Sequence, residues 1–142
     1  MTENSNAGEK IWQTAEQLLE EVRRVYTQNG SLTDELLSAL NFVFQAPLLP
    51  ALDLVDNSHV TRLVSPSGRC LFQVVGSSGT PYVCLPSSIY CACPAFKFSV
   101  LKKNDHIMCK HVLAVKLSEA MGKTQRYDVS DREITNLLTH LD

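Results

Sequence analysis

Cys91-Ala92-Cys93, fifteen intervening residues, and then Cys109-Lys110-His111 form the stretch on which the reading of this chain turns. Three thiols and one imidazole are the ligand set of a structural zinc site. Zinc prefers tetrahedral coordination by sulfur and nitrogen, and a Cys₃His set leaves no open position for water or substrate. Residues two apart on an extended strand point to the same side, so Cys91 and Cys93 can grip one ion from a strand. On a helix the same spacing fails, because residues two apart lie about 200° around the axis from each other. Cys109 is therefore expected at the beginning of a helix, where free N–H groups and partial positive charge favour the thiolate. Three thiolates around a divalent cation carry a formal charge of about −1, which Lys110 and its lysine neighbours balance. Ala114, one helical turn beyond His111, is small enough to let the helix approach the metal loop closely.

Two alternatives surround this set. His106, three residues before Cys109, is a possible replacement for His111, but the matched Cys-x-Cys and Cys-x-His pairs favour His111. Cys70 and Cys84 each fall inside an apolar strand run and read as packing residues rather than as metal or redox groups. His59 and His140 have no ligand partner nearby in sequence and are expected to face solvent. The first residues, Met1-Thr2-Glu3-Asn4-Ser5-Asn6, carry neither a basic start nor an apolar segment of the secretory kind. Together with five cysteines, an odd number, this predicts a reducing compartment and thiols or metal ligands, not a disulfide framework.

Working outward, residues 1–8 read as a disordered tail and residues 9–58 as a helical region. Ile11, Ala15, Leu18, Leu19, Val22, Val25 and Tyr26 recur at helical spacing, Asn29-Gly30 supplies a left-handed stop, and Thr33 can cap a second helix carrying Leu36, Leu37, Leu40, Val43 and Phe44. A helical hairpin is predicted. Pro47 and Pro50 interrupt the pattern, leaving residues 51–56 open between a short helix and an extended connector. Residues 59–142 change character. Val60 to Val64, Arg69 to Val75 and Pro81 to Leu85 are β-rich runs separated by Pro66-Ser67-Gly68 and Gly76-Ser77-Ser78-Gly79, which predicts an antiparallel sheet of about three strands. A short helix over about residues 94–103, a third helix over about 109–121 stopped by Gly122, and a last helix opened by the capping-box residues Ser130 and Glu133 complete an α+β reading. At 142 residues, one compact domain is expected overall.

Composition bounds the rest. The hydrophobic fraction is 44% and the charged fraction 20%, which suits a globular core rather than a disordered chain. The uncharged stretches at 36–52 and 70–96 are broken by prolines and glycines and predict no membrane span. With a net charge of −2, contact with nucleic acid must be local. The charges are unevenly spread: residues 1–60 hold nine acidic and three basic side chains, whereas residues 94–126 are rich in lysine.

The pattern Cys91-x-Cys93, a variable insert, Cys109-x-His111 and an alanine three residues later at Ala114 resembles the SWIM zinc-finger family. The similarity extends through Ser65-Pro66-Ser67-Gly68, Gly76-Ser77-Ser78, Cys91 to Phe96 and Ser99 to Lys102 to the small SWIM-domain subunits of Shu-type complexes. The resemblance implies a non-enzymatic, nuclear subunit with one structural zinc. It further implies an obligate RecA-fold recombinase-paralogue partner and a role in homologous recombination, through recombinase filaments on single-stranded DNA. The residues are compatible: Gly76-Ser77-Ser78-Gly79-Thr80 lacks the lysine of a phosphate-binding loop, so ATP chemistry would belong to the partner. The expected partner surface is Leu48, Leu49, Leu52, Leu54 and Val55. A competing reading is a direct single-stranded DNA module using Lys97, Lys102, Lys103 and Lys110, with Phe96 and Phe98 as stacking platforms. A cysteine-dependent enzyme is disfavoured, because the nearby thiols are needed by the metal, and no small-molecule substrate or membrane partner is expected.

Overall fold

The computed structural model describes residues 2–76, 78–86, 90–95, 100 and 106–140, with side chains from residue 10 onward. Helix α1 (Thr2–Asn29) ends at Gly30, whose φ of 71° is the left-handed conformation a glycine adopts without steric cost. The helix begins at Thr2, where the sequence predicts a tail over residues 1–8. No proline interrupts that stretch, and adding turns to an existing helix costs far less than nucleating one. Helix α2 (Asp34–Phe44) is capped by Thr33, whose hydroxyl accepts from the Leu36 N–H at 3.2 Å.

Helix α3 (Leu48–Asp56) settles the segment that the sequence leaves open. Pro50 is its third residue, a position whose missing N–H would have had no intrahelical acceptor. The chain then enters strands β1 (Val60–Val64), β2 (Cys70–Val75) and β3 (Pro81–Cys84). Helix α4 (Lys110–Met121) follows, then strand β4 (Gln125–Asp128) and helix α5 (Asp131–Thr139).

The sheet is four-stranded and mixed, in the order β3-β2-β1-β4, rather than a three-stranded antiparallel one. β1 pairs antiparallel with β2 and parallel with β4, with Leu63 opposite Tyr127, and α4 provides the crossover that a parallel pairing needs. Gln125-Arg126-Tyr127-Asp128 is exposed at every position. An edge strand without an inward-facing apolar residue shows no period-two signal in sequence. Of the short helix expected over residues 94–103, residues 96–99 and 101–103 lie outside the described residues.

The sheet is buried on both faces. Val60, Phe72, Val74 and Cys84 join the main core with α1, α2, α3 and α4, whereas Leu63, Leu71 and Val83 form a second cluster closed by Ile134 of α5. Two-sided burial is why β2 reads as a nearly continuous apolar run. Helix α4 lies at the centre, packed against α1 and α3. Val112, Leu113, Ala114, Val115, Leu117, Ser118, Ala120 and Met121 are all buried, so it is enclosed nearly all round. At the far end of the chain, Ser130 accepts from the Glu133 N–H at 3.0 Å while Glu133 reaches back to the Ser130 N–H, a complete capping box.

Candidate metal centre

Two structural units meet at the centre. Cys91 forms an antiparallel bridge pair with Cys84, the last residue of β3, so the first ligand pair hangs from the sheet. Cys109 is the N-cap of α4, with extended φ and ψ of −76° and 168°, and His111 is the second residue of the helix. The cap position resolves the spacing problem, because Cys109 lies outside the helical repeat that would have turned it away from His111.

The ligand atoms of Cys91, Cys93, Cys109 and His111 all lie within 4.8 Å of one another. Their exposures are 0%, 1%, 3% and 6%, so the cluster is almost wholly enclosed by protein. Cys91 Sγ stands 3.7 Å from His111 Nδ1. A tetrahedron built with zinc–sulfur and zinc–nitrogen bonds of ordinary length has an S···N edge of about 3.6 Å. The Cys91–Nδ1 separation is thus that of two donors able to share one zinc. The Tyr82 ring packs on that of His111, with centroids 4.6 Å apart and an interplanar angle of 33°.

The thiols influence one another strongly. Cys109 is pushed far above the usual thiol range by its hydrogen bonds with Cys91 and Cys93 and then by burial, with the Val112 backbone N–H acting in the opposite sense. Cys91 is lowered by its hydrogen bond with Cys109, but Cys84, Cys93 and burial outweigh this, so the net shift is strongly upward. A buried group of sulfurs this close together cannot share several negative charges without a counter-cation. A divalent ion supplies that charge, and four protein donors fill its tetrahedron. The centre holds one structural zinc.

Ala114 is fully buried in the core beside this end of α4. Lys110 is exposed and lines a cleft of about 460 Å³ that also touches Asp53, His59, Tyr82, Cys93 and His111. Lys97, Lys102 and Lys103, with Phe96 and Phe98, lie outside the described residues. Of the expected partner surface, Leu48, Leu54 and Val55 are buried at 2%, 6% and 1%. They are core because α3 forms and turns that face onto α4. Leu52 is half-buried, and Leu49 remains exposed at 71%. His140 is exposed, but His59 is half-buried, and its Nδ1 is enclosed without a hydrogen-bond partner among the described residues. Sequence spacing does not reveal His59 or Tyr82, since neither is near a ligand along the chain; the folding of β1 and β3 toward the cleft places them there.

A Cys-x-Cys pair, its first cysteine bridged to β3 and its second in the bend that follows, joined to a Cys-x-His pair at the beginning of α4 around one zinc defines the class, and the chain matches the SWIM zinc finger family over residues 72–119. Over 93% of its length it is 51% identical to zinc finger SWIM domain-containing protein 7 of Danio rerio, spanning 94% of that protein. The protein of the same name from Homo sapiens is 48% identical over 87% of this chain and 88% of its own length. The homolog from Dictyostelium discoideum is 30% identical over 88% and 82%, respectively. The chain belongs to the SWIM zinc-finger family represented by these relatives. No solved structure matches it significantly.

Proposed function

We propose that the chain is a non-enzymatic scaffold subunit that pairs in the nucleus with a RecA-fold recombinase-paralogue partner and supports homologous recombination by stabilising recombinase filaments. The observation that carries the scaffold reading is the closed, buried Cys₃His centre. Its four donors leave the metal no position for substrate. The family resemblance supports the choice of partner. Phe42 and Leu49, 82% and 71% exposed on α2 and α3, are apolar side chains available for docking.

Co-expression with a RecA-fold recombinase paralogue tests this reading. A stoichiometric complex is expected, and Leu49→Asp combined with Phe42→Asp should abolish it while zinc content stays at one per chain. A monodisperse free chain that ignores the paralogue would overturn it. The alternative, direct binding of single-stranded DNA, draws on the exposure of Lys110 beside the metal centre. It requires binding by the isolated chain that weakens steeply with salt. The basic stretch is partly neutralised, since Lys123 pairs with Asp56 at 3.9 Å and Arg126 with Asp128 at 3.2 Å, which favours the scaffold reading.

A further inference from the structure

Strand β4 is the last strand of the sheet, and its outer side is open. Among the described residues the order β3-β2-β1-β4 gives it β1 as its one strand neighbour, and all its residues are exposed. The backbone N–H and C=O groups of a strand alternate between its two edges, residue by residue. The Val129 N–H donates to the Val64 carbonyl at 2.9 Å, and Tyr127 stands opposite Leu63. Gln125, Tyr127 and Val129 therefore turn their backbone groups toward β1. Arg126 and Asp128 turn theirs outward, where no strand pairs with them among the described residues.

An open edge is a template for another strand, and proteins commonly guard it with charged side chains. The order of the charges on β4 reverses that protection for one visitor, a second β4 running antiparallel. Only registers that bring outward backbone groups face to face can bond. One of these sets Arg126 against Arg126 and another Asp128 against Asp128, and like charges directly opposite are destabilising. The remaining register through these residues sets Arg126 opposite the second copy's Asp128, and Asp128 opposite its Arg126. Both are then hydrogen-bonded pairs, in which the two residues exchange N–H···O bonds in each direction. Tyr127, 57% exposed in the single chain, meets its own counterpart at the closely spaced position between them, where aromatic side chains pair favourably. Arg126 and Asp128 already pair at 3.2 Å along one strand while 60% and 82% exposed, so in this register each arginine lies between its own aspartate and the second copy's. Arg126-Tyr127-Asp128 is its own complement read backwards, the property a two-fold interface requires.

We propose that β4 is a self-association edge, at which two copies of this chain join their sheets antiparallel across a two-fold axis with Arg126 opposite Asp128. A strand of 4 residues buries less than the roughly 1,200–2,000 Å² of a standard interface, so the dimer is weak and forms as concentration rises. The edge uses neither Phe42 nor Leu49, the side chains assigned to the paralogue.

Sedimentation equilibrium of the zinc-loaded full chain tests this. A monomer–dimer equilibrium is expected at concentrations up to about 1 mM, the range of weak association. Arg126→Asp sets aspartate against aspartate and Asp128→Arg sets arginine against arginine, so each variant alone should be monomeric. Mixed together they should form a heterodimer, because every aspartate of the first then faces an arginine of the second. Arg126→Asp combined with Asp128→Arg exchanges the charges and should dimerise as the wild type does. Zinc content and the melting transition verify that each variant is folded. Should a variant not fold, the wild type decides by itself: the Arg126 and Asp128 amides should exchange with solvent more slowly as concentration rises, and exchange independent of concentration overturns the proposal. A monomeric wild type, single variants that still dimerise, or a mixture that does not, would each overturn it. If the wild type is monomeric alone and Arg126→Asp breaks its complex with a recombinase paralogue, the edge belongs to that partner and self-association is rejected.

Discussion

Cys91 and Cys109 show how burial and mutual contact decide what a thiol does. Both are driven upward in the metal-free centre, so near neutral pH their protons stay on until zinc displaces them. Zinc affinity should therefore rise with pH, with roughly three protons released per ion while all three thiols are protonated. Calorimetric titration in buffers of different ionisation enthalpy checks this; affinity independent of pH between 6 and 8 would contradict it. For the metal-free chain the sign is the reverse of that for a depressed carboxylate. A thiol raised in the folded state contributes stability below its ordinary value, and that contribution is lost as pH climbs above it. Ala114, with no exposed surface, provides a steric test at the same scale. Ala114→Val should cost about 1–3 kcal/mol through overpacking, read as a lower denaturation midpoint, and an unchanged midpoint would show room where none is expected.

Two helices at the C-terminal end of the chain make different contributions. Helix α4 is enclosed nearly all round and carries Cys109 and His111 at its beginning, so it acts as the shaft joining metal centre to core. Helix α5 covers only the smaller cluster, through Ile134. Ile134→Ala should destabilise by about 2–5 kcal/mol, the usual range for emptying a buried aliphatic site, while zinc content stays at one per chain. Ser130→Ala, which breaks the capping box, should cost about 1 kcal/mol. Urea denaturation with parallel metal analysis separates the two effects, and zinc lost from Ile134→Ala would show that α5 supports the centre directly. At this scale the sequence was legible wherever an element had one buried face. Thr33, Gly30, Ser130 and the apolar stripe of α2 mark their helices plainly. Strand β4 and the forward half of α3 were not legible, since the first has no buried side and the second begins beside prolines whose tolerance depends on where the helix starts.

Across the whole molecule, the zinc ties the end of the β3 hairpin to the beginning of the central helix, and the main core runs continuously from α1 and α2 through Cys84, Cys91, Cys93 and Cys109. Metal and core are one cooperative unit. Cys93→Ser or Cys109→Ser should abolish zinc retention and lose the cooperative transition for most of the fold, and a strong chelator should do the same to the unaltered chain. Circular dichroism with metal analysis tests it; a chelated chain that melts like the zinc-loaded one would uncouple the two. The exposed Phe42 and Leu49 lie on α2 and α3, so surface substitutions there should leave this transition within about 0.5 kcal/mol and change association alone.

The ligand set was set out in the chain itself, because metal coordination demands particular atoms at spacings that strands and helix ends satisfy in different ways. The helix caps and the two-sided strands were equally local in origin. Which leucines of α3 face inward, that β4 returns parallel to β1, and that Tyr82, His59 and Cys84 gather around the centre were decided only by the tertiary structure. Each depends on which surfaces meet, and burial between distant segments leaves no periodic trace in either segment alone.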